Sequence, residues 1–96
     1  MSYRDAYKQK LDAEIELAQA KLAELKAHAK NLAADARIKY EGVIDDLEKS
    51  LDSTKTKLLE LGSSTDGAWE QLKSDVESAW IEFRSSLGKA NSRFHE

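Results

Sequence analysis

No proline occurs in the 96 residues of the chain. Average usage of about 5% would place about five in a chain of this length. Proline removes a backbone donor and clashes with the preceding turn, so its absence leaves helix unopposed from end to end. Ala, Leu, Lys and Glu dominate the sequence, and all four are strong helix formers. Val, Ile, Thr and the aromatics are too widely spaced to alternate as strands. The expectation is an all-α chain forming one domain over residues 1–96, since this length leaves room for no more.

Several function classes are disfavoured at this level. The chain has no cysteine, which excludes a disulfide framework and a thiolate metal site. Charged residues make up 34% of it, leaving no run of about 20 apolar residues to span a membrane. Met1-Ser2-Tyr3-Arg4-Asp5 has no apolar leader region, so the expected location is cytoplasmic. The formal net charge is -3, and basic and acidic side chains are interspersed throughout. No basic face emerges, so the phosphate attraction behind nucleic-acid binding is missing and no nucleic-acid partner is expected.

The clearest punctuation is Leu61-Gly62-Ser63-Ser64-Thr65-Asp66-Gly67. Gly62 is suited to close a helix, and Ser63, Ser64, Thr65 and Asp66 are all competent N-caps. The spacing predicts a long helix over 4–61, a turn at 62–66 and a second helix over 66–94. Asn31 and Gly42 are the only internal interruptions, and a lone glycine costs about 1 kcal/mol without ending a helix.

Apolar residues in the first half recur in steps of four and three: Leu11, Ile15, Ala18, Leu22, Leu25, Ala29, Leu32 and Ala36. This is the seam by which one helix packs along another. Farther on, Tyr40, Val43, Leu47, Leu51, Thr54, Leu58 and Leu61 shift the rhythm toward an 11-residue period, which fits a straighter helix. The second segment repeats that period openly. Residues 69–79 read WEQLKSDVESA and residues 80–90 read WIEFRSSLGKA.

A short loop makes its two helices antiparallel neighbours. The expected hairpin core is Leu47, Leu51 and Leu58 against Trp69, Leu72, Val76, Trp80, Phe83, Leu87 and Phe94. In that register the second helix covers the first only from about 32 to 61. The overhang, with Leu11, Ile15, Ala18, Leu22, Leu25 and Ala29, is then a self-association seam that a second chain covers in a dimeric bundle. The alternative is a break near 31–36 that folds the overhang back as a monomeric three-helix bundle. Ala6, Ala13, Ala20, Ala27 and Ala34 recur every seven residues on the opposite face. They are either exposed helix formers or a second packing face widened by Leu17 and Ile38.

Little points to chemistry. Glu24 and His28 are one helical turn apart, and a single pair falls short of a metal-ligand set. His95 stands near the end of the chain. Asp45, Asp46 and Glu48 cluster, but Asp45 is better paired with Lys49, as Asp35 is with Lys39, by the four-residue rule of helix surfaces. The serines have no base at nucleophile spacing, and the glycines match no phosphate-binding loop. No catalytic, cofactor-binding or metal residues are expected, no cofactor is implied, and the chain reads as a non-enzyme.

The Leu/Ala seam and the paired W-x-x-[LF]-[KR]-S units resemble small bacterial coiled-coil-domain proteins, which carry no assigned activity. The 11-residue repeats are also loosely similar to those of exchangeable apolipoproteins. The resemblance to coiled-coil proteins implies a structural or protein-interaction module that self-associates as a homodimer, with a further protein partner able to use its exposed faces. The second resemblance implies an amphipathic protein that opens its hairpin on a membrane, lipid or polymer surface. In that case the Trp69, Trp80, Phe83 and Phe94 stripe would face lipid rather than a core.

Overall fold

The computed structural model describes residues 2–94, with the backbone alone described for Phe94. Three α-helices account for nearly all of them. They are α1 over Tyr3–Ala29, α2 over Ala34–Gly62 and α3 over Asp66–Phe94. The all-α expectation holds, and the turn after Gly62 falls where the Gly-Ser-Ser-Thr-Asp run places it.

The helix expected over 4–61 is two helices. It breaks at residues 30–33, which overlaps the 31–36 stretch of the alternative. Electrostatics supply part of the reason. Lys26 and His28 occupy the last turn of α1, and Asp35 occupies the first turn of α2. Cations at a helix C-terminus and an anion at the next N-terminus each stabilise ends placed there.

Burial supplies the rest. Leu11, Ile15, Ala18, Leu22, Leu25 and Ala29, expected to wait for a second chain, are all buried within this one. Each large side chain among them is worth about 1.5–3 kcal/mol when buried. Breaking the helix forfeits a few backbone bonds at about 0.5–1.5 kcal/mol each. Covering the seam from the same chain outweighs the break.

Most residues of the expected hairpin core lie together in one buried cluster. Leu47, Leu51, Leu58, Trp69, Val76, Trp80 and Phe83 are buried together, and Leu72 and Leu87 pack partly buried against them. Leu61, Ala90 and the α1 residues Leu11, Ile15, Ala18 and Leu22 belong to the same cluster, so all three helices share it. A second cluster joins Leu25 and Ala29 to Ile44, with Leu32, Tyr40 and Leu87 against it. Phe94 was also expected in the core, but its side chain lies outside the described residues, as does His95. Thr54, on the apolar stripe of α2, is fully buried and donates its hydroxyl hydrogen to the Ser50 carbonyl at 3.1 Å. Placing a donor against the preceding turn satisfies a hydroxyl that would otherwise be costly to bury.

Candidate functional site

The polar features cluster at the end of the molecule where α1 begins. Ser2 caps α1, its hydroxyl accepting from the Asp5 backbone N–H at 3.2 Å. That start presents Tyr3, Arg4 and Tyr7 to the first turns of α3. The Tyr3 and Tyr7 rings meet Trp69 edge-on, with centroids 6.5 and 6.0 Å away. The Arg4 guanidinium lies 4.6 Å over the Trp69 ring and bonds the Asp66 carboxylate at 2.8 Å. Lys73 donates to the Tyr3 hydroxyl at 2.9 Å, and the Tyr7 hydroxyl donates to Glu77 at 3.0 Å.

This cluster joins α1 to α3, and its electrostatics suit holding better than chemistry. Burial and the bond to Glu77 push the Tyr7 phenol well above its ordinary value of 10.0. Its hydrogen bond to Tyr3 also raises Lys73 above 10.5. A general acid or base works best with a pKa near the operating pH. Both groups move away from that range.

The outer face of α1 is the second feature. One heptad period returns a helix to nearly the same face, so Ala6, Ala13, Ala20 and Ala27 line up opposite the buried stripe. All four are exposed. Among them Leu17 is 74% exposed. It borders a shallow groove shared with Glu14, Ala18 and Lys21 of α1 and with Trp80, Arg84 and Leu87 of α3. Ala34 and Ile38 are also exposed, but beyond the break they sit on α2 and do not extend this face.

A third feature is the furrow between α1 and α2. Lys8, Asp12, Glu16, Lys55 and the exposed Leu59 line one stretch, and Lys26, Lys30, Glu41 and Asp45 line another. Both signs of charge alternate along it, and Lys26 bridges to Glu48 across it at 3.0 Å.

The structure treats the sequence-derived pairs unevenly. Asp45 and Lys49 form their ion pair at 3.2 Å. In the first turns of α2 the pair formed is Arg37 with Glu41, at 3.6 Å, and Glu24 pairs with Lys21 at 3.6 Å. His28 is exposed. Among the described residues no group of three or more His, Asp or Glu side chains is placed to hold a metal ion. No described helix is long and apolar enough to cross a membrane. Trp69 and Trp80 lie in the core at 6% and 7% exposure.

The Tyr3–Arg4–Tyr7 cluster escaped the sequence reading. Running the seam back one step from Leu11 reaches Tyr7, and that continuation was its available signal. Searches against protein-family models, curated proteins and solved structures found nothing that matches the chain.

Proposed function

We propose that the chain is a non-enzymatic helical module that acts by packing its helix faces against other helices, above all those of a second copy. The observation that supports this reading is Leu17, 74% exposed within an outward alanine stripe on α1. Small residues let another helix approach closely, and one large apolar residue anchors the contact.

Charge selects the occupant. On this face the residues in steps of four and three are Ala6, Lys10, Ala13, Leu17, Ala20, Glu24 and Ala27. Antiparallel pairing of two such faces centred near Leu17 brings Lys10 beside Glu24 of the second copy. It also brings Glu14 beside Lys21, and the two-fold axis repeats both pairings. Opposite charges at matched positions favour this register over its alternatives.

Sedimentation velocity over a hundredfold range of concentration tests the reading. The chain is expected to associate as concentration rises, and Leu17→Glu to weaken that association by about tenfold or more. Lys10→Glu should weaken it too, with Glu24→Lys added in the same chain restoring it. Association unchanged by Leu17→Glu would assign self-association to another surface, and a chain that stays monomeric throughout would remove the reading.

A second reading is favoured by one regularity. The buried stripes of all three helices, from Leu11 to Ala90, stay in one helical phase across both turns, as the 11-residue period dictates. A chain opened at its turns could present that stripe as a continuous apolar face to a lipid surface. Because both tryptophans are already buried, the test is quenching by brominated lipids in anionic vesicles. Opening would bring Trp69 and Trp80 into contact with the bromines, and undiminished emission would dismiss this second reading.

A further inference from the structure

The two turns of the chain are built very differently. At the second, Ser64 Oγ donates to the Leu61 carbonyl at 2.8 Å and Ser63 Oγ donates to Leu59 at 3.3 Å. Backbone N–H groups of Ser63, Ser64 and Ala68 add bonds to Glu60, Leu61 and Thr65. The first turn, Lys30-Asn31-Leu32-Ala33, has three backbone bonds, from Asn31 to His28, Leu32 to Ala29 and Arg37 to Ala33, and no side-chain bond is among them. Its N-cap residue is Ala33, which has no side chain able to cap α2.

No residue of this first turn adopts a positive φ, so none resists an ordinary helical conformation. Lys, Leu and Ala, three of its four residues, are good helix formers. Within the loop itself little specifies reversal over continuation; the charges that favour the break, Lys26, His28 and Asp35, lie in the flanking helix turns.

Continuation would cost the core nothing in direction. Carried through as one straight helix, the buried residues of α1 and α2, from Leu11 to Leu61, fall within an arc of about 100°. Leu32, Ala36 and Tyr40 bridge the gap on the same side. The phase continues into α3, but there the capped Gly62–Asp66 turn holds the reversal.

We propose that two copies of the chain exchange α1. In the exchanged dimer residues 30–33 become helical, α1 and α2 run on as one rod, and α1 of each copy occupies the cleft between α2 and α3 of the other. Every seam contact of Leu11, Ile15, Leu22 and Leu25 is made again, now between chains. Only the turn changes, and it changes from an uncapped reversal to continuous helix. Exchange of an identical element through a short hinge is a low-cost route to a dimer. This inference rests on the self-association reading but assigns it a different surface.

Ala34→Pro separates the two surfaces. Ala34 is the first residue of α2, where proline is well tolerated, and Ala33, at φ -60 and ψ 153, already has the extended backbone that suits a residue before proline. In the continuous rod the same proline would sit in a helix interior and break it. The proteins are refolded from denaturant across a hundredfold concentration range and analysed by sedimentation velocity. A dimer is expected for the wild-type chain and for Leu17→Glu. Its dissociation constant should rise by about a hundredfold or more in Ala34→Pro.

Inserting two glycines after Asn31 gives the same expectation without proline, and far-UV circular dichroism verifies that each variant is folded. A wild-type chain that stays monomeric throughout overturns the exchange, as does a dimer retained in both hinge variants. Association lost in Leu17→Glu but kept in the hinge variants also overturns it, while leaving self-association through the outer face of α1 standing.

Discussion

Tyr7 joins α1 to α3 through one hydroxyl, and its titration makes that contact sensitive to pH. Its phenol lies above its unfolded value of 10.0 because burial and Glu77 both oppose the phenolate. The folded chain therefore holds this proton more tightly than the unfolded chain does. Stability from this group is complete below pH 10 and is lost as pH rises through the folded pKa. Denaturant melts between pH 8 and pH 11 should show an alkaline loss that Tyr7→Phe reduces. At neutral pH the same substitution costs about 0.5 kcal/mol, the low end for one hydrogen bond, because the bond is exposed. An alkaline limb identical in the variant would assign the loss to other groups. This cluster was poorly legible because ring stacking and cation placement depend on how two distant helix starts meet, and no periodicity records that. The apolar anchors were legible. Phe83, Val76 and Leu58 declare themselves by spacing alone, and all three are buried.

At the scale of elements, helix runs through an interior glycine in both α2 and α3. Gly42 and Gly88 lie inside α2 and α3, and a Cβ added to either meets nothing within 4 Å. Glycine in a helix interior costs about 0.5–1 kcal/mol against alanine. Gly42→Ala and Gly88→Ala should therefore each stabilise the fold by about that amount, additively, in urea unfolding at equilibrium. A neutral or destabilising result would show that these glycines serve something other than helix formation. The end of α2 was readable because Gly62 and the serines change the local chemistry. The end of α1 was harder to read because alanines surround it on both sides. Its signal was electrostatic, a change from Lys26, His28 and Lys30 to Asp35 within ten residues, which propensity and hydrophobic spacing do not register.

For the whole molecule, the decisive comparison is between two ways of covering the α1 seam. A loop of four residues closes at a small entropic cost, whereas a second chain must first lose its translational and rotational freedom, at several kcal/mol. These two costs favour the same-chain solution at low concentration, and no count of apolar residues reveals it, because both solutions bury the same side chains. The sequence pattern specified which faces are buried, and the loop decided which chain buries them. The resulting body measures 51 × 21 × 18 Å, and its radius of gyration of 15.5 Å exceeds the roughly 13 Å of a compact domain of about 100 residues.

The number of helices has a mechanical consequence. Two antiparallel helices place their free ends at one pole, where a pull peels them apart contact by contact. Three place residue 3 and residue 94 at opposite poles of the 51 Å axis. Tension applied between those residues runs along α1 and α3 and loads their shared core in shear, so Trp69, Val76, Trp80 and Phe83 resist together rather than in turn. The break at residues 30–33 thus turns a hairpin that would unzip into a short strut that bears load lengthwise.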